Sequence, residues 1–123
     1  MTGVVSASPF RLPATPGETD LVAKYFRGLG DPIRLRILEL LRTEGELSVS
    51  DLVRRLAIPQ PKVSNHLACL RWCGFVEARR DGRTVFNRIA DARVEAMLEL
   101  ARSLLADNAE HVAACCRIET AEP

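Results

Sequence analysis

The sequence predicts a mainly α domain carrying one small β-hairpin, an α+β class in the order four helices, hairpin, helix. Three observations predict it. Apolar residues recur at helical spacing over most of the stretch from Asp20 to Leu105. The period shortens only at Phe75–Arg80 and Thr84–Ile89, where β-prone residues cluster. Pro, Gly, Ser and Asp fall at the joints between these stretches.

Residues 1–19 hold Gly3, Pro9, Pro13, Pro16 and Gly17 among small polar residues and read as a flexible arm. Helical spacing begins near Asp20, with Leu21, Tyr25 and Leu29 on one stripe. Gly30-Asp31-Pro32 ends that helix and opens the next. Asp31 suits an N-cap, and Pro32 suits a first turn, where its missing N–H is harmless. Ile33, Ile37, Leu38 and Leu41 follow, and Gly45 punctuates. Ser48 and Asp51 form a capping-box variant at the head of a third, short helix that turns Leu52, Val53 and Leu56 inward. Ile58-Pro59-Gln60-Pro61 is a tight connection, because each proline disfavours helix at the residue before it. A fourth helix begins at Pro61 and stops at Gly74. Asp81-Gly82 is the expected hairpin turn. The last helix starts after Asp91 and sets Val94, Met97, Leu98, Ala101, Leu104 and Leu105 on one face. A domain this small has no partner left for that stripe, so a second copy is expected to cover it. Residues 20–108 are thus the folded unit. Residues 109–123 read as a less regular tail carrying His111, Cys115 and Cys116.

A chain of 123 residues with 47% hydrophobic content and mixed charge reads as one soluble globular domain. No apolar run approaches the roughly 18 residues of a membrane span, so no membrane partner is expected. The N-terminus lacks a basic stretch followed by an apolar one, and no secretory signal is expected. The cytoplasm is the expected compartment, where cysteines stay reduced and more often bind metal or react than form disulfides. An enzyme is not expected. His66 and His111 are the only imidazoles, and there is no Gly-rich phosphate loop.

The net charge of +1 hides an asymmetry. Residues 54–88 carry eight Lys or Arg against Glu77 and Asp81, a net of +6, which leaves about −5 for the remainder. Such a block is the footprint of a polyanion or, less specifically, a solvated charged face. The order of elements narrows the choice. Helix, short turn, helix and then a hairpin flanked by basic residues is a winged helix-turn-helix, the architecture of a double-stranded DNA reader. Gln60, Lys62, Ser64, Asn65 and His66 lie on the candidate recognition helix and bring chemistry suited to base edges or phosphates. Val63, Leu67 and Leu70 hold its other side in the core. Arg79, Arg80 and Arg83 on the hairpin are placed for phosphates or the minor groove.

Three segments then resemble the ArsR/SmtB family of metal-responsive repressors. Leu29-Gly30-Asp31-Pro32-Ile33-Arg34-Leu35-Arg36-Ile37-Leu38 is similar to the family's second helix. Val63-Ser64-Asn65-His66-Leu67-Ala68-Cys69-Leu70-Arg71 is similar to its recognition helix, and Asp81-Gly82-Arg83 with the following strand to its wing. The resemblance covers roughly residues 20–108. It implies a winged-helix homodimer joined through the first and last helices, which represses an operator in the apo form and is released by metal.

The metal sites known in the family are not all kept. Where one site has Cys-Val-Cys-Asp-Leu, this chain has Ser48-Val49-Ser50-Asp51-Leu52, and hydroxyls are poor ligands for soft metals. Where another pairs Asp-x-His with later donors on the last helix, this chain keeps Asp91 but has Arg93, Leu104 and Asp107. The run Leu67-Ala68-Cys69-Leu70-Arg71-Trp72-Cys73-Gly74 is instead similar to the cadmium- and lead-sensing CmtR branch, which adds a cysteine from the tail. That implies Cys69, Cys73 and Cys115, Cys116 or both as ligands. Positions 69 and 73 differ by about 40° around a helix and roughly 6 Å along it, so their sulfurs can converge on one ion. Thiolate-only sites favour soft ions: Cd(II) and Pb(II) first, then Hg(II), As(III) and Zn(II). Either cysteine alone reads as small core filler as readily as a ligand. The alternative on the same fold is a thiol-oxidation sensor, although a disulfide at this helical spacing is near the upper limit of Cα separation.

Overall fold

The computed structural model describes residues 17–118, and the N-terminal arm up to residue 16 and the last residues of the tail lie outside the described residues. Helix α1 (Glu18–Leu29) starts where the Gly17 N–H donates to Asp20 Oδ2 at 3.3 Å. Helix α2 (Pro32–Glu44) starts as its sequence demands: Asp31 Oδ1 accepts from the Ile33 and Arg34 N–H groups at 2.8 and 3.2 Å, with Pro32 in the first turn. Strand β1 (Leu47–Ser48) runs straight into helix α3 (Val49–Leu56). Ser48 and Asp51 cap that helix reciprocally, each accepting the other's backbone N–H at 3.0 Å.

The turn after α3 is tight because Ala57 takes the left-handed conformation, φ 58° and ψ 42°. Helix α4 (Gln60–Trp72) follows at once. It ends in a complete Schellman closure. Gly74 at φ +84° donates to the Arg71 carbonyl at 3.0 Å, and the Phe75 N–H reaches back to the Leu70 carbonyl at 2.9 Å. A side chain at position 74 is strained in that conformation. Phe75, 1% exposed, plugs the core immediately beneath.

Strands β2 (Val76–Asp81) and β3 (Thr84–Ile89) form the hairpin, and the sheet order is β1-β3-β2, all antiparallel. Two details differ from the sequence expectation. Asp81 pairs with Thr84, so the two-residue loop is Gly82-Arg83, one position later than the Asp81-Gly82 turn expected. Gly82 at φ +64° supplies the positive φ that a hairpin wants at its first loop position. The third strand, β1, was not expected, since two residues are too short to show a period.

Helix α5 (Ala92–Ala114) is capped by Asp91, which accepts the Arg93 N–H at 2.8 Å. It continues through residues 109–114, beyond the boundary the sequence placed at Asn108, and Cys115 is its C-cap. Ile37, Leu38, Leu52, Val63, Leu67 and Leu70, each at 0% exposure, form the centre of the core. Only the first turns of α5 join it, through Val94 and Leu98. Leu100, Leu104, Leu105 and Val112 on α5, with Leu21, Val22 and Phe26 on α1, stay exposed. No helix among the described residues is long and apolar enough to cross a membrane.

Ala57 generates a test of the helix-turn-helix corner. An alanine in the left-handed region costs about 1 kcal/mol relative to glycine, part of which glycine returns as unfolded-chain entropy. Ala57→Gly is expected to raise the urea midpoint at unchanged slope, for a net gain in unfolding free energy of about 0.5 kcal/mol, and Ala57→Val to lower it.

Candidate nucleic-acid interface and thiol site

Helix α4 carries both candidate sites because its sides are divided. Val63, Leu67 and Leu70 bury one side. Near its N-terminus Gln60, Lys62 and Asn65 are exposed, and Ser64 and His66 are half-buried. His66 is not free: the Arg34 Nε–H donates to its Nδ1 at 3.1 Å. Its Nδ1 is therefore an acceptor, and the ring proton of the neutral form lies on Nε2. Arg34 also donates through Nη1 to the Gly28 carbonyl at 3.2 Å, tying the end of α1 to α4 through the head of α2. No local pattern in the sequence marks this role for Arg34.

The basic block is partly spent inside the molecule. Arg54 pairs with Asp51, Arg55 with Glu44, and Arg88 with Glu77. Arg79 is held in a bidentate pair with Glu46, at 3.0 and 2.7 Å, and lies 5.0 Å over the Phe86 ring. That pairing keeps the Glu46 carboxyl below its ordinary pKa. Lys62, Arg71, Arg80 and Arg83 make no ion pair among the described residues. Exposed cations are thus left at the head of α4 and at the hairpin tip. Arg79, expected with them, instead braces the wing against the loop before β1.

The two helix cysteines come together. Cys69 is half-buried and Cys73 is exposed one turn further on, where its backbone N–H donates to the Cys69 carbonyl at 3.0 Å and its thiol feels that of Cys69. Partial burial pushes the Cys73 thiol up and the Cys69 thiol adds to the rise, while Arg34 and Lys24 oppose it. Tyr25, stacked on Phe75 with ring centroids 4.6 Å apart, is itself pushed up by burial and by Cys73. Cys73 opens into a cavity of about 390 Å³ that Tyr25, Asp91, Arg93 and Met97 also line. The chemistry of this pair fits a soft cation, but two sulfurs do not complete a site. Among the described residues of one chain, no three Cys, His, Asp or Glu side chains converge as a metal cage.

Cys115 and Cys116 lie at the far end of α5, whose first turns line the Cys73 cavity through Val94 and Met97. At 1.5 Å per residue that helix is about 34 Å long, so one chain does not bring its own tail thiols to Cys69 and Cys73. At the head of α5, Arg93 closes on Asp91 at 2.7 Å and fills the place of the histidine that the resemblance puts there.

Taken together, a three-stranded wing behind a helix-turn-helix, with exposed cations on the recognition helix and wing tip, defines a DNA-binding transcriptional regulator rather than an enzyme. The profile "Bacterial regulatory protein, arsR family" matches residues 31–78. The chain is 44% identical over 99 residues to the probable mercury resistance operon repressor of Streptomyces lividans, covering 80% of this chain and 78% of that one. It is 41% identical over 86 residues to the regulator CmtR of Mycobacterium tuberculosis, covering 69% and 72%. The solution structure of the homodimeric winged helix-turn-helix domain Mb0332 from Mycobacterium bovis superposes with TM-score 0.68 at 32% identity, over 76% of this chain and 85% of that one. The chain belongs to the arsR family of transcriptional regulators.

Asp91 yields a pH prediction. The hydrogen bonds from Arg93 lower its carboxyl to about 2. An ordinary Asp titrates near ~3.9, so the ionised form stabilises the fold above ~4, and that contribution is lost as pH falls toward 2. Asn keeps the N-cap but cannot titrate. Thermal melts of Asp91→Asn are expected to lose part of the decline in Tm between pH 4 and pH 2.

Proposed function

We propose that this chain is a homodimeric repressor that binds operator DNA in its apo form and is released by a soft thiophilic cation held by Cys69, Cys73 and a tail cysteine. The observation that carries this reading is the Cys69–Cys73 thiol pair on α4, the helix that also bears Gln60, Lys62, Ser64, Asn65 and His66. A ligand on those sulfurs acts at the helix that carries the candidate DNA contacts.

The dimer is supported by the exposed apolar rows on α1 and α5, which a monomer leaves in water. It also supplies the missing ligand. The rod-like α5 keeps its own Cys115 away from Cys73, so the third thiol is assigned to the partner, whose α5 would run antiparallel across the interface. Cys115, half-buried at the C-cap, is the first choice, with the exposed Cys116 beside it. Cys69, Cys73 and the partner's tail thiol would hold the ion together, and so would tie the end of one subunit to the recognition helix of the other.

Thiolate-only ligation favours soft ions, and the resemblance of the Cys69–Cys73 run to the cadmium- and lead-sensing branch puts Cd(II) and Pb(II) first among them. Hg(II) is a second reading with its own support, the name of the Streptomyces lividans relative. The wing contributes Arg80 and Arg83 as phosphate contacts, and Lys62 contributes another from the head of α4. Arg79 then acts mainly as a brace.

Three outcomes test this. A duplex selected from a random pool by the apo protein is titrated with Cd(II), Pb(II) and Hg(II). Wild type is expected to lose affinity by about 5–150-fold with a thiolate charge-transfer band, while Cys69→Ser and Cys73→Ser remain bound. Release of the Cys69→Ser/Cys73→Ser double variant by metal sinks the site. Separately, Arg83→Ala and Lys62→Ala are each expected to lower the salt slope of DNA binding by about 1, and Arg79→Ala to cost thermal stability as well.

A further inference from the structure

We infer that Arg34 is the positioning residue that carries the state of the Cys69–Cys73 pair to the DNA-reading part of α4, by holding His66 in the apo form and letting it go when the pair becomes an anionic cluster. This rests on the soft-metal reading above.

The geometry is specific. Arg34 is half-buried in the first turn of α2 and spends two separate donors, Nε on His66 Nδ1 and Nη1 on the Gly28 carbonyl. His66, Cys69 and Cys73 share one side of α4, since a step of seven residues returns to within about 20° of the starting direction. Arg34 is near enough to Cys73 for its charge to oppose the rise that burial and Cys69 impose on that thiol. One guanidinium therefore bonds the half-buried histidine among the expected DNA contacts while its charge reaches the Cys73 thiol on the same side of α4.

In the apo protein the guanidinium donates to a lone pair of the His66 ring, and burial favours the protonated thiol at Cys73. Binding a divalent ion breaks three S–H bonds, releases three protons to solvent and forms three metal–sulfur bonds, so the cluster carries a net charge of −1. Hydrogen bonds to an anionic acceptor are roughly twice as strong as those to a neutral one. The guanidinium then has a better partner on the same side of α4 and leaves His66 Nδ1. His66 loses its fixed ring orientation, and α4 loses its hydrogen-bonded tie through Arg34 to the end of α1, while its apolar side stays in the core. No oxidant or further reactant is needed.

The test uses the full chain, whose only imidazoles are His66 and His111. Side-chain ¹⁵N spectra are recorded with and without Cd(II), and His66 is assigned with His66→Gln. The expected result is that His66 Nδ1 shifts from a hydrogen-bonded acceptor toward a free one when Cd(II) is added to wild type, and stays put in Cys69→Ser/Cys73→Ser. Arg34→Gln is expected to keep the Cd–thiolate absorption but to cut Cd-dependent release of the selected duplex to under about threefold, against the 5–150-fold span usual for such coupling. Arg34→Lys is read the same way if Arg34→Gln loses helix by circular dichroism. Wild type that takes up Cd(II) and releases DNA with His66 Nδ1 unmoved overturns the role of Arg34 alone, as does normal release from either Arg34 variant. Wild type without a Cd–thiolate band overturns the metal reading and this role together.

Discussion

Burial of Val63, Leu67 and Leu70 along one side of α4 is the constraint on which the rest depends. These residues fix the rotation of the helix about its own axis, and with it the direction of every other side chain that α4 carries. The Schellman closure at Gly74 and the Phe75 plug then fix its C-terminal end. A side chain forced into position 74, or a cavity beneath Phe75, would therefore disturb Cys73 before it disturbed the exposed residues at the head of the helix. The helix is also short. Thirteen residues separate nothing by more than about 20 Å, so a thiol pair at one end and the candidate base-reading groups at the other belong to one rigid element.

The electrostatics show why total charge is a blunt guide to where DNA lies. The sequence places eight cations between residues 54 and 88, yet half of them meet carboxylates that lie elsewhere in the chain or one helical turn away. Surface pairs of this kind are worth little for stability, commonly under about 1 kcal/mol. Their effect here is on geometry. Glu46 and the Phe86 ring hold Arg79 along the sheet, which stiffens the wing and leaves Arg80 and Arg83 at its tip without a carboxylate partner among the described residues. At the head of α5 the Asp91–Arg93 pair does something similar. It turns a carboxylate that a cation would seek into one that already has its own.

The helices were legible because each is written locally. Asp31 before Pro32, the Ser48/Asp51 box and the Gly74 stop are one-residue signals with one physical meaning each, and the structure uses all three. The hairpin was legible in kind, but its loop moved by one residue because the strands pair through Asp81 rather than closing before it. Strand β1 was not legible, since it exists only through its partner β3. The same division holds for the candidate site. Cys69 and Cys73 are near neighbours on one helix, so spacing alone brings them together. Arg34 on His66 and Glu46 on Arg79 join residues more than thirty positions apart, and nothing in their neighbourhoods announces those contacts.

The extent of α5 changes the physical character of the proposed switch. A loose tail would lose conformational freedom on binding metal, at roughly 1–2 kcal/mol for each residue ordered. The tail thiol is instead mounted at the end of a continuous helix that is anchored over its first half, by Val94 and Leu98 beside the cavity of Cys73 and by the pairing of Arg102 with Glu39 of α2. In the proposed dimer, that makes the cluster a bolt between two rigid bodies rather than the nucleus of an ordering segment. A bolt of this kind stabilises whichever subunit angle brings three sulfurs within bonding distance of one ion, and two sulfurs on one ion lie under ~4 Å apart. The recognition helices must follow that angle, because Cys69 and Cys73 belong to them. DNA reads the spacing of the two half-sites, so a change in subunit angle is felt as lost affinity even if no base contact is broken in either half. In the proposed repressor the metal site and the DNA site would compete for one geometric variable, which is what reciprocal coupling between two ligands requires.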